Sequence, residues 1–159
     1  MDNKNLSTQF DLHTRLFNNV LEDIDYTHAT SRLNPDVNHI SWIAGHLLST
    51  RYTLANILGV HEPEKYASLF ANRKGYDENE QYPELTDIKK EWDNITGKIH
   101  SGFAIVGPDV LNAPSPGPIP VADQTIGGMF SFLMSHESYH IGQLGILRKY
   151  LGYGAMSYK

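Results

Sequence analysis

Ile126, Met129, Leu133, His136, His140, Gln143 and Leu147 follow one another at spacings of three and four without a break. Only an α-helix returns the chain to one side at those intervals, because it makes a turn every 3.6 residues or so. The stripe predicts a long helix over residues 123–151, stopped by Gly152. It also puts two imidazoles on the face that looks toward the core.

Three further stripes accompany it. From about Ser7, a plausible cap, to His28, the residues Phe10, His13, Phe17, Val20 and Ile24 share a face. From Asn38, read as a cap, to Leu58, the apolar set is Ile40, Ile43, Leu47, Leu54 and Ile57, with Gly59 placed to end the helix. From Thr86 to Val106 it is Ile88, Trp92, Ile95, Ile99 and Phe103, although Gly97 and Gly102 weaken that segment's helix propensity. Strand-like alternation is missing beyond a few residues. The expected class is all-α: a four-helix bundle whose long connections, 60–85 and the proline-rich 107–120, permit crossovers. The aromatic-rich segment 60–85 is expected either to cover a site as a lid or to pack between subunits.

A chain of 159 residues, read as one domain over 1–159, buries a real core without staples. Cysteine is absent, which excludes disulfides, thiolate metal sites and a catalytic thiol. The net charge is −5 and the thirteen Lys and Arg are scattered, so phosphate backbones have little to bind and no nucleic-acid partner is expected. The first residues, MDNKNLSTQFDLH, lack the pattern of a leader, and no apolar run is long enough for a membrane span. The expectation is a soluble cytoplasmic protein.

His136 and His140 lie about 40° and about 6 Å apart on one helix, close enough to hold one ion. Each ring nitrogen taken from water needs a partner, and a divalent cation satisfies one nitrogen of each ring. Two rings bind weakly, so a third ligand is expected. The letters HESYH also fit the HExxH pattern, in which Glu137 would be a general base. Yet the residues after His140 contain no His, Asp or Glu, so the third ligand must lie upstream. His13, on the inward stripe of the first helix, is one reserve. His39 is about 10.5 Å along the helix from His46 and reads as a helix-start residue. His46, taken alone, reads as packing.

The segment HESYHIGQL in the last helix, together with GHL in the second, resembles the DinB-like (YfiT-related) superfamily over nearly the whole chain. The resemblance implies a four-helix bundle with crossover connections, and a divalent metal held by His46, His136 and His140. Tyr139, Gly142 and Gln143 match the family's run around the second histidine of the pair, and Gly45 and Leu47 match the surroundings of His46. Zinc or nickel would suit such a nitrogen set, as would iron or copper. The activities implied are transfer of a low-molecular-weight thiol (bacillithiol, mycothiol or glutathione) to a small electrophile, or isomerisation assisted by such a thiol.

The alternatives from other classes are a hydrolase using metal-bound water, with or without Glu137 as base, and a non-catalytic bundle whose ion is structural. Gln143 and Tyr139 are candidates to orient a ligand or a substrate. Arg51 and Arg148 could steer an anionic thiol, but read more simply as solvated helix-face residues. The expected partner is a small molecule, and a homodimer is the expected assembly.

Overall fold

The four stripes become four long helices in the computed structural model, which describes residues 3–159, with side chains at all of them except 3–6, 73, 104 and 105. In chain order the elements are α1 (Asn3–Val20), α2 (Tyr26–Thr30), α3 (Ile40–Ile57), α4 (Ala67–Phe70) with a 3-10 turn at Ala71–Arg73, α5 (Leu85–Ile105), α6 (Pro108–Leu111) and α7 (Ile126–Tyr150). The described residues form no strand, only an isolated antiparallel bridge between Pro114 and Thr125. None of their helices is long and apolar enough to cross a membrane.

The long helices close a ring, in which α1 packs on α5 and α7, and α3 packs on the same two. Helices α1 and α3 therefore face one another across one diagonal, and α5 and α7 across the other. The proline-rich connection, from α5 to α7, does cross the bundle, and so does the shorter connection from α1 to α3 that contains α2. The connection over 60–85 joins neighbours. It packs on its own chain: Phe70 lies against Gly45, where a Cβ would stand 2.4 Å from the ring's Cζ. Tyr76 stacks on Tyr82 and meets His39 edge-on.

Phe10, Phe17, Leu47, Leu54, Ile88, Trp92, Ile95, Ile99 and Phe130 are fully buried, with Phe17 stacked on Trp92 at 3.8 Å between ring centroids. Helix α7 differs from its expected orientation. Its deepest stripe is Phe130, Met134, Glu137, Ile141 and Leu144, again at spacings of four and three. The stripe with the histidines lies beside it on the seam with α3, its Leu133 and Leu147 buried and its His136, His140 and Gln143 half-buried. A helix in contact with two neighbours buries two stripes, and the carboxylate disguised the deeper one.

The ends also differ from expectation. Helix α1 starts at Asn3, leaving Ser7 inside it, and ends at Val20. Asp23 then turns the chain with φ +60°, and the Asp25 carboxylate accepts from the His28 amide to cap α2. On α3 the cap is His39, not Asn38: its Nδ1 accepts from the Trp42 amide at 3.0 Å. Helix α5 runs unbroken through Gly97 and Gly102, and at Gly102 a Cβ would press on Leu58 at 3.2 Å. Helix α7 begins after Thr125, whose Oγ1 accepts from the Gly128 amide and donates to Asp123.

Candidate metal centre

Helix α7 places His136 and His140 one turn apart on the seam with α3, and α3 brings His46 to meet them. The Nε2 atom of His136 stands 3.1 Å from that of His46 and 3.1 Å from that of His140. One ligating atom from each ring lies within 4.8 Å of the others. All three rings are half-buried. Trp42, one turn before His46, stacks on its imidazole with 5.1 Å between centroids and 14° between planes.

Burial pushes His46 down to about 4, with the neighbouring His136 and His140 adding to the effect. It does the same for His136, to about 4, with His140 contributing in the same direction and Glu137 opposing. Burial also lowers His140, against a hydrogen bond to Gln143 that raises it. The rings are therefore neutral at physiological pH and offer lone pairs.

Gln143 decides which nitrogen of His140 offers one. Its Oε1 is 2.6 Å from His140 Nδ1, so Nδ1–H donates to the amide and Nε2 is left as the acceptor. The Gln143 Nε2 in turn donates to the Tyr139 hydroxyl at 3.0 Å. His136 Nε2 then has two close nitrogen neighbours and a single proton at most to share with them, and its Nδ1 is buried without a partner. A cation about 2.0–2.1 Å from each nitrogen resolves the conflict, since bond angles between square and tetrahedral then set nitrogens about 2.9–3.4 Å apart. The observed 3.1 Å separations fit a divalent ion.

The other residues marked from sequence fall elsewhere. Glu137 is 1% exposed and lies on the deep side of α7, where it holds Arg51: Nε to Oε1 is 2.8 Å and Nη2 to Oε2 is 3.1 Å. Burial alone would raise the Glu137 carboxyl, but Arg51 and His13 outweigh it and hold it below the usual carboxylate range. A carboxylate so engaged cannot serve as base to a water at the histidines, which removes Glu137 from that role. Arg51 is not a solvated helix-face residue but wholly buried, donating also to Thr14 and Thr96 and lying between the rings of Phe10 and Trp92.

Arg148 is buried too, donating to the carbonyls of Gly154, Val20 and Glu22. His13 joins the buried pair rather than the imidazole cluster, 3.3 Å from Glu137 Oε2 but out of hydrogen-bond alignment. Tyr139 is 62% exposed and sets its ring edge-on to His140. Trp42 is the site residue that sequence reasoning passed over, although its spacing of four from His46 puts both on one face.

A cavity of about 420 Å³ opens beside His140. Its walls are Leu33, Val37, Trp42, Ile43, Ile146 and Leu147, and its polar groups belong to Asp36, Asn38, Tyr139, His140 and Gln143.

The DinB superfamily profile matches residues 9–144, a span that includes all three histidines. No curated protein matches the chain. A match over so much of the sequence, on an all-helical fold with this imidazole cluster, shows that the chain belongs to the DinB superfamily.

Proposed function

We propose that the protein is a divalent-metal-dependent enzyme in which His46, His136 and His140 hold the ion, and that it transfers a low-molecular-weight thiol to a small electrophile. The observation that carries the reading is the meeting of three neutral imidazoles, two pairs of Nε2 atoms at 3.1 Å, beside an open cavity. When bound, a cation in such a site supplies Lewis acidity, which makes a thiol nucleophilic near neutral pH.

The chain's own residues orient and exclude. Gln143 fixes the His140 tautomer, and Trp42 fixes the plane of His46 by stacking on it. Leu33, Val37, Ile43 and Leu147 give the cavity an apolar wall against which the body of a substrate can lie. The Tyr139 hydroxyl accepts from Gln143, which leaves its own hydrogen to donate to a molecule in the cavity. The chain has no cysteine, so the thiol arrives as a cosubstrate. Zinc, nickel, iron and copper all suit three nitrogen ligands. The reading takes the protein as a cytoplasmic homodimer acting on small molecules, with neither nucleic acid nor membrane as partner.

Elemental analysis of untagged protein, expressed without added metal, tests the site beside a variant with His136→Ala and His140→Ala together. Near-stoichiometric metal in the parent, lost in a still-folded variant, is the expected result. An empty parent whose melting temperature ignores added zinc and nickel would overturn the metal site. Metal-loaded protein with no turnover across a panel of thiols and electrophiles would overturn the transferase.

A further inference from the structure

We infer that the cavity beside His140 holds the body of an uncharged or cationic, largely apolar small molecule, and that Asp36 at its edge turns anions away. The inference rests on the metalloenzyme reading and names its substrate class: this is the electrophile's side of the site, not the thiol's.

The first support is the chemistry of the walls. Trp42, which stacks on His46, belongs also to the cavity, so a molecule lying on that indole comes beside the imidazole cluster. Val37 and Ile43 continue the apolar surface, and Ile146 extends it outward with 70% of its surface exposed. A volume of about 420 Å³ suits a molecule of one or two rings.

The second support is charge. Asp36 is the one charged residue in the lining, where His140 is neutral, and no Lys or Arg is among the lining residues. The two arginines that might have served an anion, Arg51 and Arg148, are buried in other contacts. Arg32, close in sequence, is held outside the lining, donating to the carbonyls of Pro35 and Val37 and lying over the Tyr76 ring, 4.3 Å from its centroid. Low-molecular-weight thiols such as glutathione carry carboxylates, for which this wall offers no cationic side chain and which an apolar electrophile lacks.

The test uses the full chain labelled with fluorotryptophan, whose two indoles report separately: Trp42 lines the cavity, while Trp92 is fully buried against Phe17. Phenylbutylamine, phenylbutanol and phenylbutyrate share one apolar body and differ in charge. Each is titrated into metal-free and zinc-treated protein and followed by fluorine NMR. The Trp42 signal is expected to move and the Trp92 signal to stay, with the amine binding about tenfold more tightly than the carboxylate and the alcohol between them.

Asp36→Asn should bring amine and alcohol together, and Ile146→Ser, at an exposed position, should weaken all three without unfolding the chain. Tightest binding by phenylbutyrate to the metal-free protein, or no movement of the Trp42 signal at millimolar ligand, overturns the inference. The titration needs no ion, so the two readings fail separately. Ligand shifts in a protein that takes up no metal would sink the metalloenzyme alone, and bound metal without ligand shifts would sink the cavity's assignment alone.

Discussion

Arg51 and Glu137 meet as a bidentate pair in the middle of the bundle, with 0% and 1% of their side chains exposed. Arg51 stands five residues after His46, and Glu137 directly follows His136, so the pair fastens α3 to α7 beside the imidazole cluster. Thr14 and Phe10 from α1, and Thr96 and Trp92 from α5, complete the surroundings of the guanidinium. All four long helices converge on this one group.

Breaking such a pair from one side leaves a buried charge alone. Arg51→Met or Glu137→Gln should each cost about 3–5 kcal/mol, whereas Arg51→Met with Glu137→Met should be less destabilised than either single variant. Urea unfolding of the metal-free proteins measures this. Single-variant losses below about 1 kcal/mol, the range of an exposed pair, would show that the charges are not acting as a buried unit.

The sequence carried a sign of this pair that was easy to misread. Leu47, Arg51 and Leu54 are spaced four and three, which places the arginine on the inward stripe of α3. Phe130, Met134, Glu137 and Ile141 do the same for the glutamate on α7. A charge on an apolar stripe reads as solvated until its partner is known, and here the partner is 86 residues away. The four helices were legible because their stripes are periodic and local. His136 and His140 were legible because one turn separates them, but His46 required the family resemblance, since nothing local distinguishes it from a packed histidine. The cavity was not legible at all, being assembled from the connection before α3, the first turn of α3 and the last half of α7.

Gln143 should matter to metal affinity more than to folding. Gln143→Leu removes the acceptor for His140 Nδ1–H and should weaken zinc binding about 10–100-fold, while Gln143→Glu retains an acceptor and most of the affinity. Calorimetric titration of zinc into the two variants separates these outcomes, and equal affinities would remove Gln143 from the site.

His39 should make the fold sensitive to acid. Burial, then the nearby Arg32, lowers it to about 4 from an ordinary value of 6.5. As pH falls below about 6.5 the unfolded chain takes up the proton first. The stability due to the neutral ring is therefore complete above about 6.5 and is lost progressively as pH drops toward about 4. Protonation also removes the lone pair with which Nδ1 caps α3. His46 and His136 titrate in the same window, so His39→Asn, which keeps a capping acceptor, should make the fall of unfolding free energy shallower without abolishing it. An unchanged slope in the metal-free protein would contradict the assignment.

Gly45→Ala should loosen the connection over 60–85. The new Cβ would meet the Phe70 ring at 2.4 and 2.8 Å, so the ring must move. The expected cost is about 1–3 kcal/mol, partly recovered when Phe70→Leu is added. Thermal unfolding of the two variants tests this, and faster proteolysis within 60–85 in Gly45→Ala would report the loosening directly.

His46 and His136 are 90 positions apart, so any ion that joins them encloses more than half of the chain. For a polypeptide without cysteine this would be a reversible cross-link that lasts only while the fold holds the three rings together, so it would stabilise the native state by mass action and leave the unfolded chain unconstrained. Free ion at about a hundred times its dissociation constant would add about 2.7 kcal/mol to the unfolding free energy. Chelation would then raise the fraction of chains that are open at any moment, and the metal supply of its surroundings would help set how long each molecule survives heat or proteases.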